Sequence, residues 1–161
     1  MGEICIRKIE RPDNEQIAVI IRKVLLDFNV PKEGSAYSDV ALDDMTAAYS
    51  GDKTVYFVVL DDETIMGGGG IAPLDNYEGN VCELQKMYML ESLRGRGIGK
   101  KLIQMCIDRA IDFGYEGCYL ETMPNMKVAQ KIYRHFGFQY LEGPMGNTGH
   151  CACPVWMYLK F

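Results

Sequence analysis

One segment constrains the fold of this chain more than any other, because a strand pattern, a glycine- and arginine-rich turn and an amphipathic helix follow one another closely. The strand pattern covers residues 81–90, the turn residues 94–99, and the helix extends to residue 113, before Gly114. Apolar side chains recur at helical spacing after the turn, and a glycine is a common helix terminator. This succession predicts that helices pack against a sheet.

The turn itself has the composition of an anion-binding site. Glycine lets the main chain turn tightly and point several N–H groups into one concavity, and the helix adds unpaired amides and the positive end of its dipole. Arg94, Arg96, Lys100 and Lys101 supply cations. The combination suits a pyrophosphate; the alternative is a glycine-rich turn with solvated basic side chains. The nucleotide-hydrolase loop does not match, because position 94 is arginine instead of glycine and position 101 is lysine instead of serine or threonine. The dinucleotide loop does not match, because the third glycine comes one residue early.

Patterns along the rest of the chain predict one mixed sheet. Strands are expected at residues 3–9, 54–60, 64–71, 81–90, 117–122, 138–141 and 155–160, and helices at 12–28, 39–49, 98–113 and 125–136. This order is that of an α/β domain, and we expect residues 1–161 to form one such domain. Residues 67–70 are four glycines inside a strand, which predicts a bulge or a close approach of backbone to another group.

Composition restricts the function. The net charge is −5, so no nucleic-acid partner is expected. No apolar stretch approaches the roughly 20 residues that span a bilayer, and no signal peptide is evident, so we expect a cytoplasmic protein without a membrane partner. Cys5, Cys82, Cys106 and Cys118 are predicted to be buried, reduced thiols. The His-Cys-Ala-Cys cluster at residues 150–153 has no matching Cys-x-x-Cys, so no metal is expected.

Two motifs together resemble those of a known family. Arg94-x-x-Gly97-x-Gly99 is similar to the acetyl-CoA signature of the GNAT superfamily of N-acetyltransferases, and Asn125-x-x-x-Ala129-x-x-x-Tyr133-x-x-x-Gly137-Phe138 is similar to its second signature. The resemblance implies the acyl-CoA N-acyltransferase fold, an α/β (α+β) fold. That fold has a single mixed, mostly antiparallel sheet of about seven strands flanked by about four helices. Acetyl-CoA is the implied co-substrate, and a homodimer is the common assembly.

The same resemblance implies roles for particular residues. The strand at 84–90 would carry a bulge and diverge from the parallel strand at 117–122, and the pantetheine arm would lie in the gap like an added strand. Amides of residues 95–100 would hold the pyrophosphate, Asn125 would contact the arm, and Tyr133 would lie near the thioester sulfur. The implied coenzyme-binding residues are Met87, Tyr88, Met89, Arg94, Gly95, Arg96, Gly97, Ile98, Gly99, Lys100, Asn125, Ala129 and Tyr133.

Acetylation of an amine also needs proton handling. A lysine-like amine has a pKa of about 10.4, so a base or a water chain must produce its neutral form. Glu83, in the strand beside the expected gap, is the first candidate and Glu121, on the paired strand, is the second. For each, an ion pair on the sheet surface is the alternative. Tyr133 would protonate the departing thiolate, and the Met89 amide would polarise the thioester carbonyl.

Acceptor specificity is expected from two loops, residues 29–45 and 143–154. His150, in the second loop, would contact the acceptor or lie on the surface. Polar residues of the first loop would attract a cationic amine; they are Glu33, Tyr37, Asp39, Asp43 and Asp44. The alternative for Asp39 and Asp43 is that they stabilise a helix N-terminus. The expected activity is acetyl transfer to a primary amine of a small molecule by direct attack. A protein N-terminal or lysine acetyltransferase and a non-catalytic acyl-CoA sensor are the alternatives.

Overall fold

The computed structural model describes residues 2–161, which form a seven-stranded mixed sheet with helices on both faces. The strands are β1 (Ile4–Lys8), β2 (Val55–Asp61), β3 (Thr64–Pro73), β4 (Val81–Met89), β5 (Gly117–Thr122), β6 (Gln139–Tyr140) and β7 (Val155–Lys160). The helices are α1 (Asn14–Asp27), α2 (Met45–Ala48), α3 (Ile98–Asp112) and α4 (Lys127–His135). Short 3₁₀ turns lie at Arg11–Asp13, Ala36–Ser38, Val40–Asp43 and Glu91–Leu93.

The strand order is β1-β2-β3-β4-β5-β7-β6, and every neighbouring pair is antiparallel except β4 and β5. A parallel pair needs a long crossover, and α3 lies in the one that joins β4 to β5. The expectation of a mixed, mostly antiparallel sheet with four helices is confirmed. Among residues 2–161, every helix is too short or too polar to cross a bilayer.

Strand β2 shows how the two faces of the sheet are filled. Val55 and Phe57 pack in the cluster around α3, whereas the alternating Tyr56 and Val58 pack in the cluster around α1, as strand geometry requires. The helix faces predicted from spacing are buried: Ile17, Ile20, Ile21, Val24 and Leu25 on α1, and Ile98, Leu102, Ile103, Cys106, Ile107 and Ala110 on α3.

The four glycines of β3 allow neighbouring groups to approach its backbone, as predicted. A Cβ at Gly70 would lie 2.3 Å from the Val55 carbonyl oxygen and 2.7 Å from the Tyr56 ring. A Cβ at Gly68 would lie 2.9 Å from the Tyr56 hydroxyl oxygen. The missing side chains therefore leave the space in which the Tyr56 ring crosses β3 toward β4.

Two expectations are wrong. Residues 39–49 do not form one helix, because the Asp44 side chain accepts a hydrogen bond from the Ala47 amide (3.1 Å) and begins α2 after a separate 3₁₀ turn. Cys5 is exposed rather than buried, because it lies on β1, an edge strand with one neighbour. Cys82, Cys106 and Cys118 are buried as predicted.

Candidate functional site

The parallel strands β4 and β5 diverge after a short contact. Their register covers three pairs, Val81 with Gly117, Cys82 with Cys118 and Glu83 with Tyr119. β5 stays paired with β7 as far as Thr122. The edge of β4 beyond Glu83 therefore has no strand partner on its β5 side within the described residues, and a gap opens there.

A bulge at Lys86 bends β4 beside this gap. Gly68 pairs with Tyr88 and Gly70 with Gln85, so two steps along β3 match three steps along β4. Lys86 lies in the bulge and has a φ of 49°, a backbone conformation that is strained for a residue other than glycine. The Tyr56 hydroxyl donates a hydrogen bond to the Lys86 carbonyl oxygen (2.8 Å) and supports this conformation. The predicted bulge and divergence of strand 84–90 are confirmed.

After the bulge, the side chains of β4 alternate between the two faces again, with the order shifted by one residue. Met87 and Met89 pack against the cluster around α3, and Tyr88 packs against the cluster around α1. Met87 lies over Gly69, whose added Cβ would be 2.6 Å from the Met87 sulfur. These three residues, expected to contact a coenzyme, therefore border the gap from both sides.

The turn before α3 presents a set of unpaired amides. Gly95 and Gly97 have φ values of 75° and 76°, which glycine adopts without strain. The Lys101 amide donates to the Gly97 carbonyl oxygen (3.2 Å), so the amides of residues 98–100 precede the helical hydrogen-bond pattern. Ile98 is buried, while the glycines and cations of the turn, Arg94, Gly95, Arg96, Gly97 and Lys100, are exposed and Gly99 is half-buried. The turn has the geometry of an anion site.

Two arginines of the turn already have neighbours. The Arg94 guanidinium donates to the Met89 carbonyl oxygen (3.2 Å) and lies 5.0 Å from the centre of the Phe28 ring. Arg96 lies 3.9 Å from the Asp61 carboxylate. Both side chains are at the surface, where such contacts are weak and exchange with solvent or an anion.

Helix α4 borders the same gap from the α3 side. Tyr133 is 6% exposed and packs edge-on against Phe138, with ring centres 5.9 Å apart. Burial raises the pKa of its phenol above the ordinary value, with a smaller effect of nearby thiols, so the hydroxyl keeps its proton. Ala129 is part-buried beside both clusters. The Asn125 amide donates to the Phe28 carbonyl oxygen (2.8 Å).

Glu83 is a buried carboxyl at the point where β4 and β5 separate. It is 5% exposed, and its neighbours Cys82 and Leu84 pack around α3, so its side chain lies on the opposite face. Burial raises the pKa of Glu83 to about 7. A hydrogen bond from the Gln85 amide (2.6 Å) opposes that shift, and the charge of Glu121 adds to it.

A hydrogen-bond chain orients the Glu83 carboxyl. The Tyr49 hydroxyl donates to Gln85 Oε1 (2.7 Å), and Gln85 Nε2 donates to Glu83 Oε1. Tyr49 ends α2, and Gln85 shares its face of β4 with Glu83. One carboxyl oxygen of Glu83 is thereby held, while the other is available to a ligand.

Glu121, the second candidate base, has different surroundings. It accepts hydrogen bonds from the Tyr119 hydroxyl (2.9 Å) and the Thr148 hydroxyl. It lies on β5 with its side chain tied to the loop at 143–154. Glu121 thus accepts two side-chain hydrogen bonds and Glu83 accepts one. This difference leaves Glu83 with more capacity to bind a proton or a ligand.

A part-buried ion network joins the two predicted acceptor loops to the bulge. Lys86 Nζ lies 2.9 Å from Asp39 Oδ2, and His150 Nε2 lies 2.9 Å from both Asp39 oxygens. Burial lowers the pKa of His150, but the hydrogen bond and charge of Asp39 outweigh it and the pKa is raised. Burial likewise opposes ionisation of Asp39, whose two cationic partners nevertheless hold its pKa below the ordinary value.

The network lines a cavity of about 430 Å³ that also contains Glu83. Its walls include Asp39, Tyr49, Asp75, Glu83, Gln85, Lys86, Thr148 and His150. His150 is 19% exposed at its side chain and faces this cavity. Within residues 2–161, no group of three His, Cys, Asp or Glu side chains has the arrangement of a metal site.

Other polar residues of the first loop serve the local structure. Asp43 pairs with Arg22 (3.6 Å), and Asp44 caps α2. The Tyr37 ring lies near two cations, and Glu33 is exposed. Asp39 makes no cap hydrogen bond at the 3₁₀ turn that follows it. Of the five residues proposed for acceptor recognition, Asp39 alone lines the cavity.

Sequence reasoning missed Tyr49, Asp75, Gln85 and Lys86. Gln85 had a usable signal, because residues two apart in a strand share a face and Glu83 was already a candidate. Lys86 had no such signal. The bulge places its side chain on the same side of β4 as that of Gln85, whereas regular strand geometry would place the two on opposite faces.

Comparisons with known proteins agree with this geometry. A sequence model of the acetyltransferase (GNAT) family matches residues 21–138. YjgM, an uncharacterized N-acetyltransferase of Escherichia coli strain K12, is 40% identical over 152 residues, which cover 94% of this chain and 91% of that protein.

Two solved structures are similar to the whole chain. A GNAT-family acetyltransferase from Staphylococcus aureus has a TM-score of 0.86 and 23% identity, with 98% of this chain and 99% of that one covered. YncA from Salmonella typhimurium, solved with acetyl-CoA, has a TM-score of 0.76 and 17% identity, with coverage of 99% and 94%. At these identities the two structures establish a shared fold.

The buried Glu83 carboxyl predicts a pH-dependent stability. Its pKa is about 7 when folded and 4.5 in the reference state, so the folded chain binds the extra proton between these values and becomes less stable as pH rises from about 5 to about 8. Glu83→Gln has no charge to bury. We expect it to exceed the wild type in unfolding free energy by about 1–3 kcal/mol at pH 8 and to match it near pH 5.

Urea unfolding at both pH values measures this difference. Glu63→Gln, an exposed change in the turn between β2 and β3, is the matched control and should follow the wild type at both. An equal pH dependence in Glu83→Gln and the wild type would contradict the raised pKa.

Proposed function

The chain belongs to the GNAT family of acetyltransferases, and we propose that it moves the acetyl group of acetyl-CoA to a primary amine of a small molecule by direct attack. The observation that carries this proposal is the Glu83 carboxyl, buried at the gap between β4 and β5, with a pKa raised to about 7 and a cavity beside it. We also propose that residues 1–161 act as one domain.

Acetyl-CoA would bind along the gap and the turn. Its pyrophosphate would accept hydrogen bonds from amides of residues 95–100, aided by Arg94, Arg96 and Lys100. The pantetheine arm would pair with the unpartnered edge of β4 at Met87 and Met89 and contact Asn125 and Ala129. The acetyl-CoA bound to the YncA fold neighbour supports this assignment.

Glu83 is the proposed base. A carboxyl with a pKa near 7 is suited to accept a proton at neutral pH, because enough of it is ionised and it still holds a proton well. It would remove a proton from the acceptor's ammonium, directly or through one water, and leave the neutral amine to attack the thioester carbonyl. Gln85 and Tyr49 would keep the carboxyl oriented through their hydrogen bonds.

Tyr133 is the proposed acid on the other side of the gap. Attack of the neutral amine forms the nitrogen–carbon bond, and collapse of the adduct breaks the carbon–sulfur bond, so that the thiolate leaves with the electron pair. The nitrogen releases its surplus proton to solvent, which restores the proton that the Tyr133 phenol gives up. The phenol keeps its proton in this environment and can donate it to the sulfur. The Met89 amide would stabilise the negative charge that develops on the carbonyl oxygen.

The size of the cavity suits a small acceptor. A volume of about 430 Å³ falls in the range of small-molecule sites. His150 and Thr148 bring the loop at 143–154 to the wall of the cavity near Glu83.

Coenzyme binding can be tested at the turn before α3. Gly99→Glu should weaken acetyl-CoA binding at least roughly tenfold from a micromolar-range Kd, because it sets a carboxylate against phosphate. An added Cβ at Gly99 meets the flexible end of Met89 at 3.1 Å, so the variant should fold. Calorimetry measures the Kd, which should also rise with added salt.

Ile111→Glu provides the control for the added charge. It places a carboxylate at an exposed position near the other end of α3 and should bind acetyl-CoA as the wild type does. Unchanged affinity in a folded Gly99→Glu variant would reject the turn as the pyrophosphate site.

Catalysis can be separated from binding at Glu83. Glu83→Gln should bind acetyl-CoA normally but turn over ~10²–10⁴-fold more slowly at pH 7. In the wild type, kcat/KM should rise as pH passes the pKa of Glu83 at about 7, and the deficit of the variant should shrink at high pH. Release of the free coenzyme thiol, followed with a panel of amines, measures both.

Comparison variants assign the roles. Tyr133→Phe should lose less activity, because a thiolate leaves even without a proton. Wild-type turnover in Glu83→Gln at neutral pH would move the base role to Glu121 or solvent. Acetyl-CoA binding without acetylation of any amine by the unmutated chain would favour a sensor.

A further inference from the structure

The Lys86 ammonium is buried with unused hydrogen-bonding capacity. Its side chain is 6% exposed, and the bulge turns it into the cavity that contains Glu83. An ammonium has three N–H donors, and Asp39 is the single side-chain acceptor that the described residues offer, at 2.9 Å. A buried ammonium with one partner is costly, so an acceptor atom from a ligand would complete its coordination.

The charges around Lys86 favour an anionic ligand group. The Asp39 carboxylate is shared by Lys86 and His150, because His150 also contacts both of its oxygens. With His150 protonated, two cations on this wall face one carboxylate, which leaves a net positive charge. Glu83 and Asp75 line the same cavity, and Glu83 lies close enough to Lys86 and His150 for their charges to act on it. The cavity therefore has a cationic wall at Lys86 and His150, with the acidic Glu83 within reach of it.

We propose that the acceptor is an amino acid or a close analogue, whose carboxylate binds to Lys86 and His150 while its amine faces Glu83. The proposal rests on the proposed acetyl transfer and names the class of acceptor. Lys86 and His150 are specificity-determining residues in this scheme, and Glu83 remains the base. A zwitterion matches both the cationic wall and Glu83, whereas a simple amine leaves the cationic wall unpaired.

A purely structural role for the network gives a different expectation. If Lys86, Asp39 and His150 only tie the loops to β4, removing Lys86 lowers stability and affects all acceptors alike. If Lys86 binds the acceptor, its removal raises the KM of acceptors that carry a carboxylate and spares those that lack one.

The test compares matched acceptors. Each member of a panel of L-amino acids is assayed with its decarboxylated amine and its carboxamide, with thiol release as the readout. For the best amino acid we expect kcat/KM to exceed that of its matched amine by roughly 10- to 100-fold, the range for hydrogen bonds to charged groups. Lys86→Met should raise KM for that amino acid by a similar factor, with little change in kcat, and should raise KM for the matched amine far less.

Two further variants keep the result interpretable. Lys23→Met makes the same chemical change at an exposed position on α1 and should alter neither acceptor. In Lys86→Met the part-buried Asp39 carboxylate keeps His150 as its one cationic partner. The double variant Lys86→Met/Asp39→Asn removes that carboxylate, so it should fold if Lys86→Met does not. It should show the same loss of preference.

The outcomes separate the two proposals. If wild-type protein uses amines and amino acids equally, or if Lys86→Met slows both equally, the amino-acid proposal is overturned and acetyl transfer to amines stands. If the protein binds acetyl-CoA but acetylates no amine or amino acid, the proposed function fails and this inference fails with it.

Discussion

The hydrogen bond from the Tyr56 hydroxyl to the Lys86 carbonyl oxygen supports the irregularity on which the site depends. A positive φ at a lysine costs on the order of 1–3 kcal/mol, so surrounding contacts must hold it. Tyr56 reaches that carbonyl because Gly68 and Gly70 leave room for its ring. The Lys86 side chain then adds its ion pair with Asp39. Sequence features on three separate segments thus converge on one strained residue.

The bulge also links the two halves of the proposed reaction. It sends Met87 and Met89 toward α3 and turns Lys86 toward the cavity. The loss of pairing between β4 and β5 after Glu83 opens the gap between these sides. The coenzyme edge and the acceptor cavity are therefore products of the same departure from regular strand geometry. A regular β4 paired along its whole length with β5 would have neither.

The parts of the fold that depend on local pattern were predictable from the sequence. Periodicity identified α1 and α3 and their buried faces, and glycines marked the turn at residues 94–99. The helix expected at residues 39–49 was wrong, because the Asp44 cap interrupts a pattern that apolar spacing alone cannot resolve. In the ion network, Asp39 contacts Lys86, 47 residues away along the chain, and His150, 111 residues away. Such pairings arise from tertiary packing, and the sequence gives no spacing rule for them. Glu83 was identifiable as a candidate, but its burial and raised pKa follow from the divergence of the two strands.

Amide hydrogen exchange with and without acetyl-CoA tests most directly whether the coenzyme occupies this opened edge. We expect bound acetyl-CoA to slow exchange at Met87 and Met89 of β4 and at residues 95–100, because their amides would gain hydrogen-bond partners. The amides of β2, which are already paired on both sides, should change little. Slowed exchange confined to the loop at 143–154, or no change in β4 at saturating acetyl-CoA, would contradict a coenzyme site in the gap between β4 and β5.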